Sequence, residues 1–273
     1  MKLFLHTPPP PLSDVVELFT YFEGHSPVHS VERLFPEGVV EIIIDLTEIP
    51  KHIYDNASLS PIQECRESWV SGVRSSPINI SAGGNDSSMF VIRLKPGRSF
   101  PVLGIPVSEL NGSVISADQL FGRPIAILRE RLLEAPTPAG KCRIVEQFLL
   151  NRLSGGSTTP EIVRFTVASV LSQPRNSVLR DVLDQSGYSR KHLINLFRNH
   201  VGIPPLAFVR LVRFQHALQM ISTGGNIDWA GIALDCGYYD QPHFNNDFRR
   251  FSGFTPGEFR MIAGGEANYI PVG

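Results

Sequence analysis

The 273-residue chain has little cysteine: Cys65, Cys142 and Cys236 are odd in number, far apart and never in a Cys-x-x-Cys pair. That excludes a disulfide frame and a cysteine-based zinc cluster and fits a reducing compartment. Each is expected to be a small buried hydrophobe. No run approaches eighteen consecutive apolar residues, so no membrane span is expected. The opening MKLFLHTPPPPL reaches a proline run too soon for the apolar core of a secretory signal, and the expected compartment is the cytoplasm. Charge of one sign is also lacking: 25 Lys and Arg face 26 Asp and Glu, for a net −1. Steering by the overall field is therefore modest. No Gly-rich phosphate loop or His-Glu metal pair occurs, and Ser71-Gly72 lacks the Gly two residues before the Ser of a nucleophile elbow. The sequence thus assigns no catalytic residue, no metal ligand and no cofactor, and it leaves the place of any ligand pocket unknown. Hydrophobic residues, at 42%, are enough for real cores.

What is present is a repeat. Residues 192–208 and 243–259 are two versions of one segment, offset by 51 positions. His192 returns as His243, Asn195 as Asn246, Phe197 as Phe248, Arg198 as Arg249, Gly202 as Gly253, Pro205 as Pro256 and Phe208 as Phe259. Each copy follows a Gly-Tyr pair, Gly187-Tyr188 and Gly237-Tyr238, with a short apolar helix pattern before it. Helix, Gly-containing turn, second helix, then Gly and Pro as a stop is the pattern of a helix-turn-helix. Two such units give two helices able to enter a DNA groove. Charge divides accordingly: residues 1–159 hold 14 Lys and Arg against 17 Asp and Glu, and residues 160–273 hold 11 against 9.

The composition predicts an α+β chain. A β-rich, sandwich- or barrel-like domain spans 1–153, a Ser/Gly/Thr linker 154–160, an all-α domain 161–262 and a tail without periodicity 263–273. In the first domain, Asp14–Phe22 carries apolar residues at helical spacing, with Ser13 or Asp14 placed to cap. The β-branched run Val39–Leu46 predicts a buried strand, and shorter strands are expected at Trp69–Val73, Ile78–Ser81 and Met89–Leu94. Arg123–Glu134 and Gly140–Leu153 are expected to be two helices closing a pocket domain. Arg33, Glu41, Arg93 and Arg98 are candidates for a polar pocket, with surface ion pairs the simpler account. The carboxyl-terminal part predicts seven helices. The central one starts at Pro204-Pro205, carries an apolar stripe of Leu206, Val209, Val212, Ala217, Leu218 and Ile221, and ends at Gly224-Gly225.

The stretch 237–260, GYYDQPHFNNDFRRFSGFTPGEFR, together with Ser189, Leu193, Phe197, Gly202, Arg213 and Ala217, resembles the DNA-binding domain of the AraC/XylS family of bacterial transcription regulators. The resemblance covers about residues 160–262. It departs from the family pattern at Asn195, where Arg is frequent, at the apolar Ile194, and at Leu183, where a small Ala is usual; Ala233 keeps that feature in the second unit. A weaker likeness, in Phe35-Pro36-Glu37-Gly38, Glu41-Ile42, Arg98-Ser99-Phe100 and Gly104-Ile105-Pro106, is to the sensor-like domain that accompanies this class.

Leu193 and Phe197, like Phe244 and Phe248, stand at i and i+4 and fix each recognition helix against its partner. The faces left for DNA carry Arg190, Lys191, Ile194, Asn195 and Arg198 in the first helix, about 189–201. In the second, about 240–251, they carry Gln241, His243, Asn245, Asn246, Arg249 and Arg250. Asn and Gln can pair bidentately with adenine edges, and Ile194 can pack on a thymine methyl. Arg198, Arg249 and Arg250 sit later on their helices, where phosphates lie. His192 and His243 have an equal claim to a structural task at a helix start, and Arg213 to holding helices together. Asp247 is expected to be a solvent or intramolecular partner. The resemblance implies an activator or repressor that reads two major-groove segments of double-stranded DNA about one turn, roughly 34 Å, apart. RNA polymerase, a small-molecule effector and a second copy of the chain are further partners that such a regulator admits. The rival reading is a DNA-targeted enzyme with its active site in the first domain. Cys65 and Cys142 lack the neighbours that would activate a thiolate for it.

Overall fold

The computed structural model describes residues 1–82, 86–153, 155–156, 158–174, 177–222, 228–263 and 268–272. Eleven strands lie among the described residues: β1 (Lys2–His6), β2 (Val16–His25), β3 (Val31–Leu34), β4 (Val40–Asp45), β5 (Lys51–Tyr54), β6 (Pro61–Cys65), β7 (Ser68–Ser71), β8 (Ile78–Ser81), β9 (Ser87–Leu94), β10 (Val114–Ser116) and β11 (Tyr269–Val272). They form a six-stranded sheet in the order β1-β2-β9-β4-β7-β10 and a five-stranded sheet in the order β11-β3-β8-β5-β6. Neighbouring strands are antiparallel. Short helices α1 (Phe100–Leu103) and α2 (Asp118–Phe121) precede α3 (Arg123–Glu134) and α4 (Pro138–Leu153). Then come α5 (Glu161–Ser172), α6 (Ser177–Ser186), α7 (Arg190–His200), α8 (Pro205–Ser222), α9 (Trp229–Asp235), α10 (Gln241–Ser252) and α11 (Pro256–Ile262). None of the described helices is long and apolar enough to cross a membrane.

Period-two alternation gives the six-stranded sheet two different faces. Phe19, Ile42, Ile44, Phe90 and Ile92 are buried in one core with Ile125, Leu128 and Leu132 of α3 and Val145 and Leu149 of α4. The alternate side chains, including Phe22, Ile43, Met89 and Val91, line a cavity of about 440 Å³ whose other wall includes Ile53, Ile78 and Ile80 of the five-stranded sheet.

The helix expected over Asp14–Phe22 is strand β2, preceded by a 3-10 turn at Leu12–Asp14. A bulge between Val16 and Leu18 shifts the alternation, so Val15, Leu18, Phe19 and Phe22 fall at helical spacing by accident. Between β1 and β9 this strand also finds backbone partners on both sides. The other expected strands and helices lie within two residues of the observed ends. Strands β1, β3, β5, β6, β10 and β11 carried no sequence expectation. The stripe expected on α8 is displaced: Val209, Ala217, Leu218 and Ile221 are buried, but Leu206 is 46% exposed. Phe208, Leu211 and Phe214 complete the buried surface instead, because α8 is covered on more than one side. The expected stop at Gly224-Gly225 lies outside the described residues.

The segment read as a linker is anchored at its end: Thr159 is buried and its hydroxyl donates to the Gly97 carbonyl at 3.1 Å. Ser154 and Ser157 lie outside the described residues. The segment read as a tail without periodicity supplies β11, paired with β3 from Tyr269 opposite Leu34 to Val272 opposite Val31. Of the four residues considered for a polar pocket, Glu41 lines the cavity. Arg93 pairs with Glu17, Glu37 and Glu41. Arg33 donates to Asn79 and lies 5.3 Å over the Phe254 ring, beyond the second helix-turn-helix unit. Burial lowers the pKa of Arg98, with Arg164 adding repulsion.

Candidate nucleic-acid interface

The two helix pairs, α6–α7 and α9–α10, are built by the same local chemistry. Gly187 and Gly237 take φ of +69° and +80°, the left-handed conformation that turns the chain out of the first helix of each pair. Ser189 and Asp240 then cap the recognition helices. Ser189 Oγ accepts from the His192 amide at 3.2 Å, and Asp240 Oδ1 from the His243 amide at 2.8 Å. The i, i+4 pairs seat each helix: Leu193, Phe197, Phe244 and Phe248 are all at most 2% exposed. The Phe248 ring meets Phe214 of α8 and Phe259 of α11 at centroid distances of 5.2 and 5.6 Å.

With those faces buried, the opposite flank of each helix is turned to solvent. Arg190, Lys191, Asn195 and Arg198 are exposed on α7, and Ile194 is half-buried. On α10, Gln241, His243, Asn246, Arg249 and Arg250 are exposed, with Asn245 half-buried. Arg249 is 4.0 Å from Glu258, and Arg250 lies 6.0 Å from the Phe251 ring centroid, so both guanidiniums stay near the surface. His192 stacks on Tyr188 at 5.0 Å, and His243 meets Tyr238 edge-on at 5.8 Å. Both imidazoles thus pack on the tyrosine of the preceding turn.

Two groups are settled as internal. Arg213 is 3% exposed, donates to the Pro174 carbonyl and lies 5.6 Å from the Tyr238 ring centroid. Asp247 is 1% exposed although it stands on a recognition helix, because Arg210 of α8 clasps its carboxylate. That ion pair was not foreseen from the sequence; opposite charges 37 positions apart are the only trace it leaves there. The two units differ in one respect: Tyr238 is buried, whereas its counterpart Tyr188 is 44% exposed. Burial, with Asp247 and Cys236 nearby, drives the Tyr238 phenol well above its ordinary pKa. Burial likewise pushes the thiols of Cys65 and Cys142 up to about 11 and that of Cys236 up to about 12, away from nucleophile chemistry.

Residues 182–261 match the family model described as a helix-turn-helix domain. Residues 5–116 match that of a domain of unknown function, DUF6597. The chain is 28% identical over 174 residues to the HTH-type transcriptional regulator ArgR of Pseudomonas aeruginosa, covering 62% of this chain and 51% of ArgR. It is 28% identical over 114 residues to the uncharacterized transcriptional regulatory protein YesN of Bacillus subtilis, covering 41% of this chain and 31% of YesN. These matches therefore span about half or less of each relative. Among solved structures, ToxT from Vibrio cholerae aligns with a TM-score of 0.47 at 14% identity, covering 89% of this chain and 98% of ToxT.

Proposed function

Because its carboxyl-terminal part is an AraC-type helix-turn-helix domain, we propose that this chain regulates transcription by inserting α7 and α10 into adjacent major-groove segments of one DNA duplex. The observation that carries the reading is the shared polarity of the two helices. Each buries its i, i+4 apolar pair and offers Arg, Lys, Asn and Gln outward. Helix α8 joins the two units, so one chain reads a direct, non-palindromic site. Lys191, Asn195, Gln241 and Asn246 face base edges in this arrangement, and Arg198, Arg249 and Arg250 face phosphates. The cavity between the sheets has the size of a small-molecule site, and its occupancy modulates DNA binding.

Gel shifts of cognate and scrambled duplexes test the assignment. Asn246→Ala and Gln241→Ala each cost about 1–3 kcal/mol on the cognate site and little on scrambled DNA. Arg249→Ala weakens both alike and lowers the salt slope by about one. Equal losses on both duplexes for Asn246→Ala overturn the base-reading role.

A further inference from the structure

We propose that Tyr239 anchors the leading end of α10 to the DNA backbone, its phenol donating to a phosphate oxygen and its ring lying on the adjoining deoxyribose. This rests on the reading that α10 enters a major groove, and it adds a contact from the turn before that helix.

The two turns differ in length. Asp240 follows its counterpart cap Ser189 by 51 positions, but Gly237 follows Gly187 by only 50, so the second turn holds one residue more. The first reads Gly187-Tyr188-Ser189 and the second Gly237-Tyr238-Tyr239-Asp240. Tyr238 takes the inner place, with its ring 5.8 Å from His243 and 5.4 Å from Phe244. Tyr239 is left outside at 89% exposure, more than any other phenylalanine, tyrosine or tryptophan among the described residues. Its ring and hydroxyl meet no side-chain partner among those residues. A single exposed ring is ordinary on a protein surface. The place of this one gives it a task, because a recognition helix meets DNA with its amino-terminal end.

The charges at the two leading ends also differ. Helix α7 opens with Arg190 and Lys191 behind a neutral serine cap, so cations stand ready for phosphates there. Helix α10 opens with Gln241 and Pro242, and its arginines, Arg249 and Arg250, lie in the last turn. The charged residues that flank the second turn are both acids, Asp235 and Asp240. Backbone donors are scarce as well: Pro242 has no N–H, and Asp240 takes the His243 amide at 2.8 Å. A phosphate at this end is therefore held by a neutral side-chain donor. Tyrosine supplies one, and its hydroxyl is among the groups that contact phosphate oxygens in DNA complexes. Its apolar ring covers the sugar while the polar tip stays free to donate.

Gel shifts of the full chain on a duplex that it has selected from a random pool test this. Tyr239→Phe weakens binding about fivefold and Tyr239→Ala about tenfold or more. Neither changes the salt slope, because a neutral donor displaces no counterion. Single methylphosphonate substitutions along the duplex then locate the contact. At one phosphate beside the α10 half of the site, the substitution costs the unaltered chain about fivefold more than it costs Tyr239→Phe. Both variants unfold at the same temperature as the unaltered chain. Undiminished binding by Tyr239→Phe, equal costs for both proteins at every phosphate, or a lower unfolding temperature for Tyr239→Phe overturns the proposal. Losses for Asn246→Ala and Arg249→Ala with none for Tyr239→Phe overturn this contact alone. No loss for any of the three overturns the groove reading with it.

Discussion

Arg210 and Asp247 form a pair whose members are unequally placed: the Asp247 side chain is 1% exposed and that of Arg210 31%. Removing the arginine strands a carboxylate in the interior, whereas removing the carboxylate leaves a guanidinium that can still reach water. Arg210→Met is therefore expected to cost about 3–5 kcal/mol, and Asp247→Asn about 1–2 kcal/mol. Urea unfolding of both variants checks the asymmetry; equal losses would show that Asp247 does not depend on its partner. Which flank of each helix is turned outward was legible from the sequence, because the i, i+4 apolar pairs Leu193/Phe197 and Phe244/Phe248 fix the phase of each helix. The burial of Asp247 was not, since its partner comes from another helix.

Helix α10 begins at an aspartate whose carboxylate takes the His243 amide at 2.8 Å, beside Pro242 in the first turn. The cap satisfies an orphan donor, and its negative charge complements the helix dipole. Asp240→Ala is expected to lower stability by about 1 kcal/mol, and Asp240→Asn, which can keep the cap, by a few tenths. Thermal unfolding distinguishes them, and two equal losses would assign the effect to charge alone. At this scale the sequence was readable wherever punctuation was local. The Gly-Tyr turns, the capping residues and the Thr255–Glu258 capping box mark helix ends without reference to anything distant. Strand β2 shows the limit, because a bulge that shifts the alternation, with one face in the core and the other partly covered at the cavity, imitates helical periodicity. Strand β11 shows another: with Pro271 in a four-residue edge strand, it has no pattern of its own and exists through pairing with β3.

The whole molecule is joined where the first helix-turn-helix unit meets the β-rich part. Val201, Gly202 and Ile203, which follow α7, are all buried. A Cβ on Gly202, at φ +91°, would stand 3.0 Å from Val107 and 3.3 Å from Val73. His200 closes α7 against Phe100, with ring centroids 4.7 Å apart, and its Nδ1 has no hydrogen-bond partner among the described residues. Burial lowers the His200 pKa below its ordinary 6.5. The unfolded chain therefore binds the proton more readily than the folded one, and stability rises with pH across that interval. The contribution is complete above about pH 6.5 and is lost as pH falls toward the depressed folded value. His200→Phe should flatten this dependence between about pH 8 and 5.5, measured by urea unfolding; an unchanged slope would place the titrating group elsewhere. Further joints are Phe35 against Phe214 and Phe259, Gln215 donating to the Pro36 carbonyl at 2.7 Å, and Asn268 donating to Glu37 at 2.6 Å.

The repeat, the Gly-Tyr turns and the helix caps determined by themselves that two recognition helices form and which flank each presents, because those choices depend on residues within one or two turns. Tertiary structure alone decided that β11 returns to the first sheet region, that Asp247 is clasped from α8, and that the two sheets enclose a cavity lined by both apolar and charged side chains. Each of these depends on which distant groups share a low-dielectric space, and no local spacing records that.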